Sequence, residues 1–247
     1  MQVATPDRGS TPTTVTALAA LAGERFTDQI AARHKVDGEW RDLTYAQVSE
    51  AIVEVALGLI DLGVKAGDRV AILADTRLEW TLASYGISVA GAIVVPVYPT
   101  NSPRECAWVL GNSGTRIVFC ESASQRAKVD EVSGELPELV ATIGIDEGAG
   151  DLTLAELRER GRRSDRTCLA EILAAVTPAD PYTIIFTSGT TGPPKGVVLS
   201  HRNAMSVCEM VEELHFVQPG EDTYLFLPLA HAFALTSMLA GVGYPVP

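Results

Sequence analysis

Residues Leu43–Asp75 read LTYAQVSEAIVEVALGLIDLGVKAGDRVAILAD, and this stretch decides the fold class. Val48, Ile52, Val55, Ala56 and Leu59 recur at the spacing of one helix face, and Gly63 stops the pattern before the polar KAGDR turn. VAILAD then reads as a short buried strand. The same order repeats downstream. Helical RLEWTLASYGISVAGA runs into the β-branched AIVVPVY, SPRECAWVLGNSG leads to RIVFCE, and SQRAKVDEVSGELPELV leads to ATIGID. Helix and buried strand in alternation predict an α/β fold with a largely parallel sheet covered by helices on both faces.

Between Gly148 and Pro178 the composition turns charged, with RERGRRSDR at its densest, and no apolar strand is expected there. Glu156, Glu159, Asp165 and Glu171 dilute the basic run, so it reads as a solvated surface helix and connector rather than a phosphate-binding patch. PADPYTIIF then restores the strand signal and leaves open a subdomain boundary near Pro178. The polar start, residues 1–15, reads as a disordered lead-in without the apolar core of a signal peptide.

Composition narrows the function classes. The 247 residues, 47% of them hydrophobic, are enough to bury a substantial core. Nineteen Lys and Arg against 31 Asp and Glu leave a formal charge of -12, the wrong sign for collecting DNA or RNA phosphates, so nucleic acid is not an expected partner. Any nucleotide must be held locally against the overall field. Cys106, Cys120, Cys168 and Cys208 show no CxxC pair and no His at ligand spacing, so no metal site is expected; they read as buried free thiols of a reducing cytoplasm. Thr81–Pro103 and Thr223–Pro247 carry no charged side chain, but Gly86, Gly91, Pro96, Pro99, Pro228, His231, Gly241, Gly243 and Pro245 interrupt them. Helix joined to strand suits these stretches better than a membrane span, and membrane association is expected to be peripheral at most.

Directly after the strand signal comes IIFTSGTTGPPKGV, Ile184–Val197. A loop that binds a triphosphate needs N–H and O–H donors at close range and few bulky side chains. Thr187, Ser188, Thr190 and Thr191 supply hydroxyls, Gly189, Gly192 and Gly196 allow positive φ and close backbone approach, and Lys195 adds a fixed charge. The spacing fits neither GxxxxGK[ST] nor GxGxxG, which disfavours a Walker-type NTPase and a Rossmann dinucleotide site. A plain Gly/Thr surface turn is the alternative.

The run Thr187–Gly196, Pro193 and Pro194 included, resembles the phosphate-binding signature of adenylate-forming enzymes: the acyl-CoA synthetases, luciferase-like ligases and peptide-synthetase adenylation domains. LTYAQV, GAIVVPVYPTNSP and LPLAHAF (Leu227–Phe233) resemble further motifs of that family in the same order. TSGTTGPPKGVVLSHRN together with LPLAHAFA is most similar to long-chain fatty acyl-CoA synthetases.

The resemblance implies that residues 16–247 are a truncated AMP-binding N-terminal domain. It further implies ATP with Mg²⁺, a carboxylic acid such as a long-chain fatty acid, and coenzyme A as substrates. The run from Thr187 to Gly196 would hold the β- and γ-phosphates, with Lys195 and His231 as the catalytic candidates. His231 would line the acyl and adenylate pocket, although a lone His in LPLAHAFAL also suits a core position. His201, just after the loop, is expected to cap or pack the following helix, whereas His34 and His215 carry no signal. A carboxylate is already ionised, so no Ser-His-Asp or Cys-His arrangement is required.

The family's adenine-contacting and ribose-contacting segments, hinge and small C-terminal domain have no counterpart in the 247 residues. A truncated chain is the resulting expectation. It is expected not to make acyl-CoA alone and to leave Thr223–Pro247 as an apolar end prone to association. Two alternatives stay open, namely adenylation of an amino or aryl acid for a carrier protein, and a catalytically inactive remnant.

Overall fold

The structure, a computed structural model, describes residues 12–187, 193–214 and 222–243. The deciding stretch folds as its periodicity demands. Helix α2 (Tyr45–Asp61) starts at Thr44, whose hydroxyl and the Gln47 side chain form a reciprocal capping box, and it buries Val48, Ile52, Val55, Ala56 and Leu59. Gly63 at φ +86° ends it, and strand β3 (Arg69–Leu73) follows.

The expected alternation continues through α3 (Leu78–Val89), β4 (Ile93–Val97), α4 (Pro103–Ser113), β5 (Thr115–Cys120), α5 (Ala123–Glu131) and β6 (Ala141–Gly144). Helix α5 is shorter than the apolar pattern suggests. It stops at Glu131, a single 3-10 turn spans Ser133–Glu135, and Pro137 beyond it cannot continue a helix.

After β6 come β7 (Leu152–Thr153), α6 (Leu154–Arg163), α7 (Thr167–Ala175), β8 (Pro181–Thr187), β9 (Lys195–Ser200), α8 (His201–Glu213) and α9 (Ala232–Gly243). The chain opens with α1 (Val15–Phe26) and a separate hairpin of β1 (Ile30–Val36) and β2 (Glu39–Thr44). Thr14 caps α1 and Val15 is fully buried, so ordered chain begins inside the stretch read as a lead-in. Residues 1–11 lie outside the described residues.

The main sheet runs β7-β6-β5-β3-β4-β8-β9, parallel throughout except for β9, which is antiparallel to β8. Alternate residues of each inner strand feed two cores, as a doubly covered sheet requires. Val70, Ile72, Val94, Ile117 and Phe119 face the core shared with α1, α2, α3, α6, α8 and α9. Ala71, Leu73, Val95, Val97, Val118 and Cys120 face the core under α4 and α5. Strand β8 joins β4 directly, so the sheet continues across the position near Pro178.

Three expectations are corrected by packing. First, Leu152–Thr153 forms a short edge strand where none was expected. Second, the basic run does more than meet solvent: Arg158 and Arg162 close on the buried carboxylate of Glu54 at 2.7 and 3.1 Å, Arg160 pairs with Asp61, and Arg166 pairs with Glu50. Carboxylates of α2, about a hundred residues earlier, neutralise these arginines. Third, the apolar end expected to be prone to association is packed in part, because Ala234, Leu235, Met238 and Leu239 of α9 enter the larger core and the Tyr85 hydroxyl donates to the Met238 carbonyl. Exposed aromatic surface remains at Tyr224, Phe226 and Phe233.

No cysteine is bridged. Burial pushes the thiols of Cys106 up to about 11 and of Cys120 and Cys208 up to about 12, so all three are inert; Cys168 is the departure from expectation, being only half-buried. Among the described residues no helix is long and apolar enough to cross a membrane.

Candidate functional site

Because β8 runs parallel to β4, its last residue, Thr187, lies on the edge where β3, β4 and β5 present their carboxyl ends. Ligands of open parallel sheets bind outside that edge, near the point where the strand order reverses. Here β3 connects outward to β4 while its other neighbour, β5, connects to β6 on the opposite side. Thr187, with which the glycine- and threonine-rich run begins, thus lies at the sheet's binding edge.

Thr187 is paired with Lys195 across the β8–β9 ladder, so the two ends of the loop are pinned opposite each other. Both are exposed. Pro193 and Pro194 lead into Lys195, whereas Ser188, Gly189, Thr190, Thr191 and Gly192 lie outside the described residues. Gly196 departs from the role expected of it. It sits inside β9 without positive φ, and a Cβ there would come within 3.0 Å of Ile184 and 3.2 Å of the Phe186 ring, so glycine serves packing within the hairpin.

The second sequence motif arrives at the same edge by a separate route. The Thr76 hydroxyl, just beyond β3, donates to the Leu227 carbonyl at 2.6 Å and accepts from the Leu229 N–H at 3.3 Å. His231 is exposed, not a core residue. Its Nδ1 accepts from the Phe233 N–H at 3.3 Å and caps the first turn of α9. Thr76→Val would leave Leu227 and Leu229 without this partner and free the aromatic segment before α9. We expect chymotryptic cleavage after Tyr224 and Phe226 to quicken by about tenfold, the equivalent of one or two lost hydrogen bonds.

Charged groups brace the rim. Arg77 donates to Glu79 at 2.7 Å and to Asp146 at 2.9 Å, and Glu121 accepts from the Asp75 N–H at 2.8 Å. Burial works against both charges of the Arg77–Glu79 pair, yet their mutual hydrogen bonding holds Glu79 below the usual carboxylate range and Arg77 above its own. The sequence held no local signal for Thr76 or for this rim, whose partners are far apart in the chain.

His201 is buried, as a packing role requires, while Ser200 supplies the cap of α8. Its Nδ1 accepts from the Val15 N–H at 3.2 Å and its ring lies 5.5 Å from that of Tyr182. Burial pulls the imidazole down to about 4, against a weaker opposing pull from Asp180. A depressed folded-state value means that the unfolded chain binds the extra proton first. The stability from neutral His201 is therefore complete above about pH 6.5 and is lost as pH falls toward 4, at a cost of roughly 2 kcal/mol by pH 5. Urea unfolding of wild type and His201→Phe at pH 7 and pH 5 checks this. The variant should lose less stability between the two.

The chain matches the AMP-binding enzyme family over residues 20–243. It belongs to that family. It is 40% identical over 215 residues to the long-chain-fatty-acid–CoA ligase FadD15 of Mycobacterium tuberculosis, an alignment covering 86% of this chain and 36% of that ligase. The chain thus spans about a third of the length of that relative. Among solved structures, a Mycobacterium tuberculosis fatty acyl CoA synthetase superposes with TM-score 0.78 at 23% identity, over 94% of this chain and 43% of its own. The inhibitor-bound N-terminal domain of FACL13 from the same organism superposes with TM-score 0.77 at 25% identity, over 94% of this chain and 55% of its own. The largely parallel, doubly covered sheet is the fold this chain shares with these solved structures over 94% of its length.

Proposed function

We propose that this chain takes part in the ATP-dependent activation of a long-chain fatty acid to its coenzyme A thioester, as the nucleotide-binding N-terminal domain spanning residues 16–247. The observation that supports the reading is the placement of Thr187 and Lys195, the described ends of the loop. In a chain matched to the AMP-binding family over residues 20–243, the phosphate signature joins two paired strand ends at the carboxyl edge of the sheet. In the first half-reaction a carboxylate oxygen bonds to the α-phosphorus of ATP, the bond from that phosphorus to the bridging oxygen of the β-phosphate breaks, and pyrophosphate leaves. In the second, the coenzyme A sulfur bonds to the acyl carbon, the bond from that carbon to the phosphate oxygen of AMP breaks, AMP leaves with that oxygen, and the thiol proton passes to solvent.

The chain's own residues act by binding and charge neutralisation. The hydroxyls of Thr187, Ser188, Thr190 and Thr191 and the loop's backbone N–H groups are assigned to the β- and γ-phosphates. Lys195 neutralises charge on the departing pyrophosphate, and His231 borders the acyl and adenylate pocket. Among the described residues no three His, Cys, Asp or Glu side chains gather as a metal cage. Mg²⁺ is accordingly assigned to the substrate, arriving on the phosphate oxygens of ATP. The acidic balance argues against nucleic acid as a partner, and the proposed compartment is the cytoplasm, with membrane contact peripheral at most.

The test is acid-dependent exchange of labelled pyrophosphate into ATP by the protein that carries these residues, run with a panel of acids. Long aliphatic acids should support exchange. Preference for an amino or aryl acid would overturn the substrate assignment.

A further inference from the structure

The returning arm of the loop is braced from outside the hairpin. Among the described residues β9 is the edge strand of the sheet, with β8 as its one strand neighbour. At the point of return the Pro194 carbonyl accepts a hydrogen bond from Trp108 Nε1, on α4, at 2.8 Å. Among the described residues no other side chain outside the hairpin is seen to hydrogen-bond to the segment Pro193–Gly196.

Burial does not explain this bond. Trp108 stays 39% exposed while Cys106, Val109 and Leu110 of the same helix fill the core, so its indole could meet water instead. Helix α4 itself is firmly set. It has Pro103 in its first turn, a reciprocal Ser102–Glu105 capping box, and Gly114 in the left-handed region at its end. The chain enters this helix from the carboxyl end of β4. The indole N–H is thereby a rigid donor placed at the last peptide before Lys195. Proline has a fixed φ and no N–H, so rotation of the Pro194–Lys195 peptide plane is the main remaining freedom there. The bonded carbonyl sets that plane.

We propose that Trp108 is a positioning residue for the phosphate loop: by holding the Pro194 carbonyl it fixes the peptide that aims Lys195, and so raises the loop's affinity for polyphosphate. This rests on the phosphate-binding reading above. The ligand class is a linear polyphosphate, whether that of a nucleoside triphosphate or the free inorganic ion.

The experiment is calorimetric titration of the 247-residue chain with inorganic tripolyphosphate, using wild type, Trp108→Phe and Lys195→Ala, with each unfolding temperature measured alongside. Trp108→Phe keeps an aromatic ring and deletes the donor, and it should weaken binding about fivefold at an unchanged unfolding temperature. Should it also lower that temperature, Trp108 replaced by benzothienylalanine, which keeps both rings and lacks the N–H, repeats the titration with packing intact and should show the same loss. Wild-type affinity in the isostere, with Lys195→Ala weakened, would overturn the role of Trp108 and leave the loop reading standing. No binding by wild type, or equal binding by Lys195→Ala, would overturn the loop reading and the proposal with it.

Discussion

Gly161→Ala lowers the unfolding temperature of the chain by roughly 10 °C. A Cβ at Gly161 would stand 1.9 Å from the Glu54 carbonyl oxygen, 2.7 Å from its carbon and 2.9 Å from its Cα, all of them backbone atoms that cannot swing aside. Helix α6 must therefore back away from α2. Gly58 makes the same close crossing from the other side, since a Cβ there would lie 2.3 Å from the Leu157 carbonyl oxygen. Separation also uncovers Leu157 and stretches the Arg158 and Arg162 bonds to Glu54, whose buried carboxylate then loses its counter-charges. Overpacking and the uncompensated charge together cost about 4–5 kcal/mol, against about 1 kcal/mol gained from alanine's helix propensity. For a domain of this size each kcal/mol moves the midpoint by about 2–4 °C. Calorimetric or circular-dichroism melting measures it. An unchanged or raised midpoint would mean that the two helices do not cross at Gly58 and Gly161.

Lys195→Ala should reduce the rate of pyrophosphate exchange by about 30- to 150-fold. One charge pair at about 4 Å and an effective dielectric near 20 is of order 4 kcal/mol, and the cost of desolvating an exposed ammonium takes back a share of it. A net loss of about 2–3 kcal/mol corresponds to that fold-change. Lys195→Arg keeps the charge but replaces a compact ammonium by a planar fork, so it should recover only part of the rate. Exchange by Lys195→Ala at the wild-type rate would remove Lys195 from the chemistry.

The repeated helix-and-strand units were legible because buried parallel strands are continuous apolar runs and their helices carry one apolar face, as VAILAD and the Val48–Leu59 stripe do. The β1–β2 hairpin escaped that reading. Its strands IAARHKV and EWRDLT are largely exposed and charged, so the one usable signal was the turn at Asp37–Gly38, where both residues take positive φ. Strand β9 was hidden inside the phosphate signature, with Val197 and Val198 exposed on an edge rather than alternating over a core.

At the site, the loop and the Leu227–Phe233 motif were visible as motifs; the placement of the loop's ends followed from β8 lying beside β4, and that of the second motif from the Thr76 tether beyond β3. What binds them to the scaffold was not visible. Trp108 reaches Pro194 across 86 residues and Thr76 reaches Leu227 across 151, and neither donor belongs to a local pattern that marks it. The Glu54–Arg158–Arg162 cluster was illegible for the same reason, since the basic run is balanced by carboxylates from α2 and not only by its own acids.

On the proposed function, the loop between β8 and β9 holds ATP by its phosphates at the carboxyl edge of the sheet. Amide hydrogen exchange of the 247-residue chain, followed peptide by peptide with and without ATP and Mg²⁺, tests it most directly. Slowed exchange is expected to concentrate in peptides covering residues 184–200 and to be reduced by Lys195→Ala. Slowed exchange instead at the groove between α2 and α6 that Leu57, Ile60 and Arg160 line, or no change at 184–200 with saturating ATP, would contradict it.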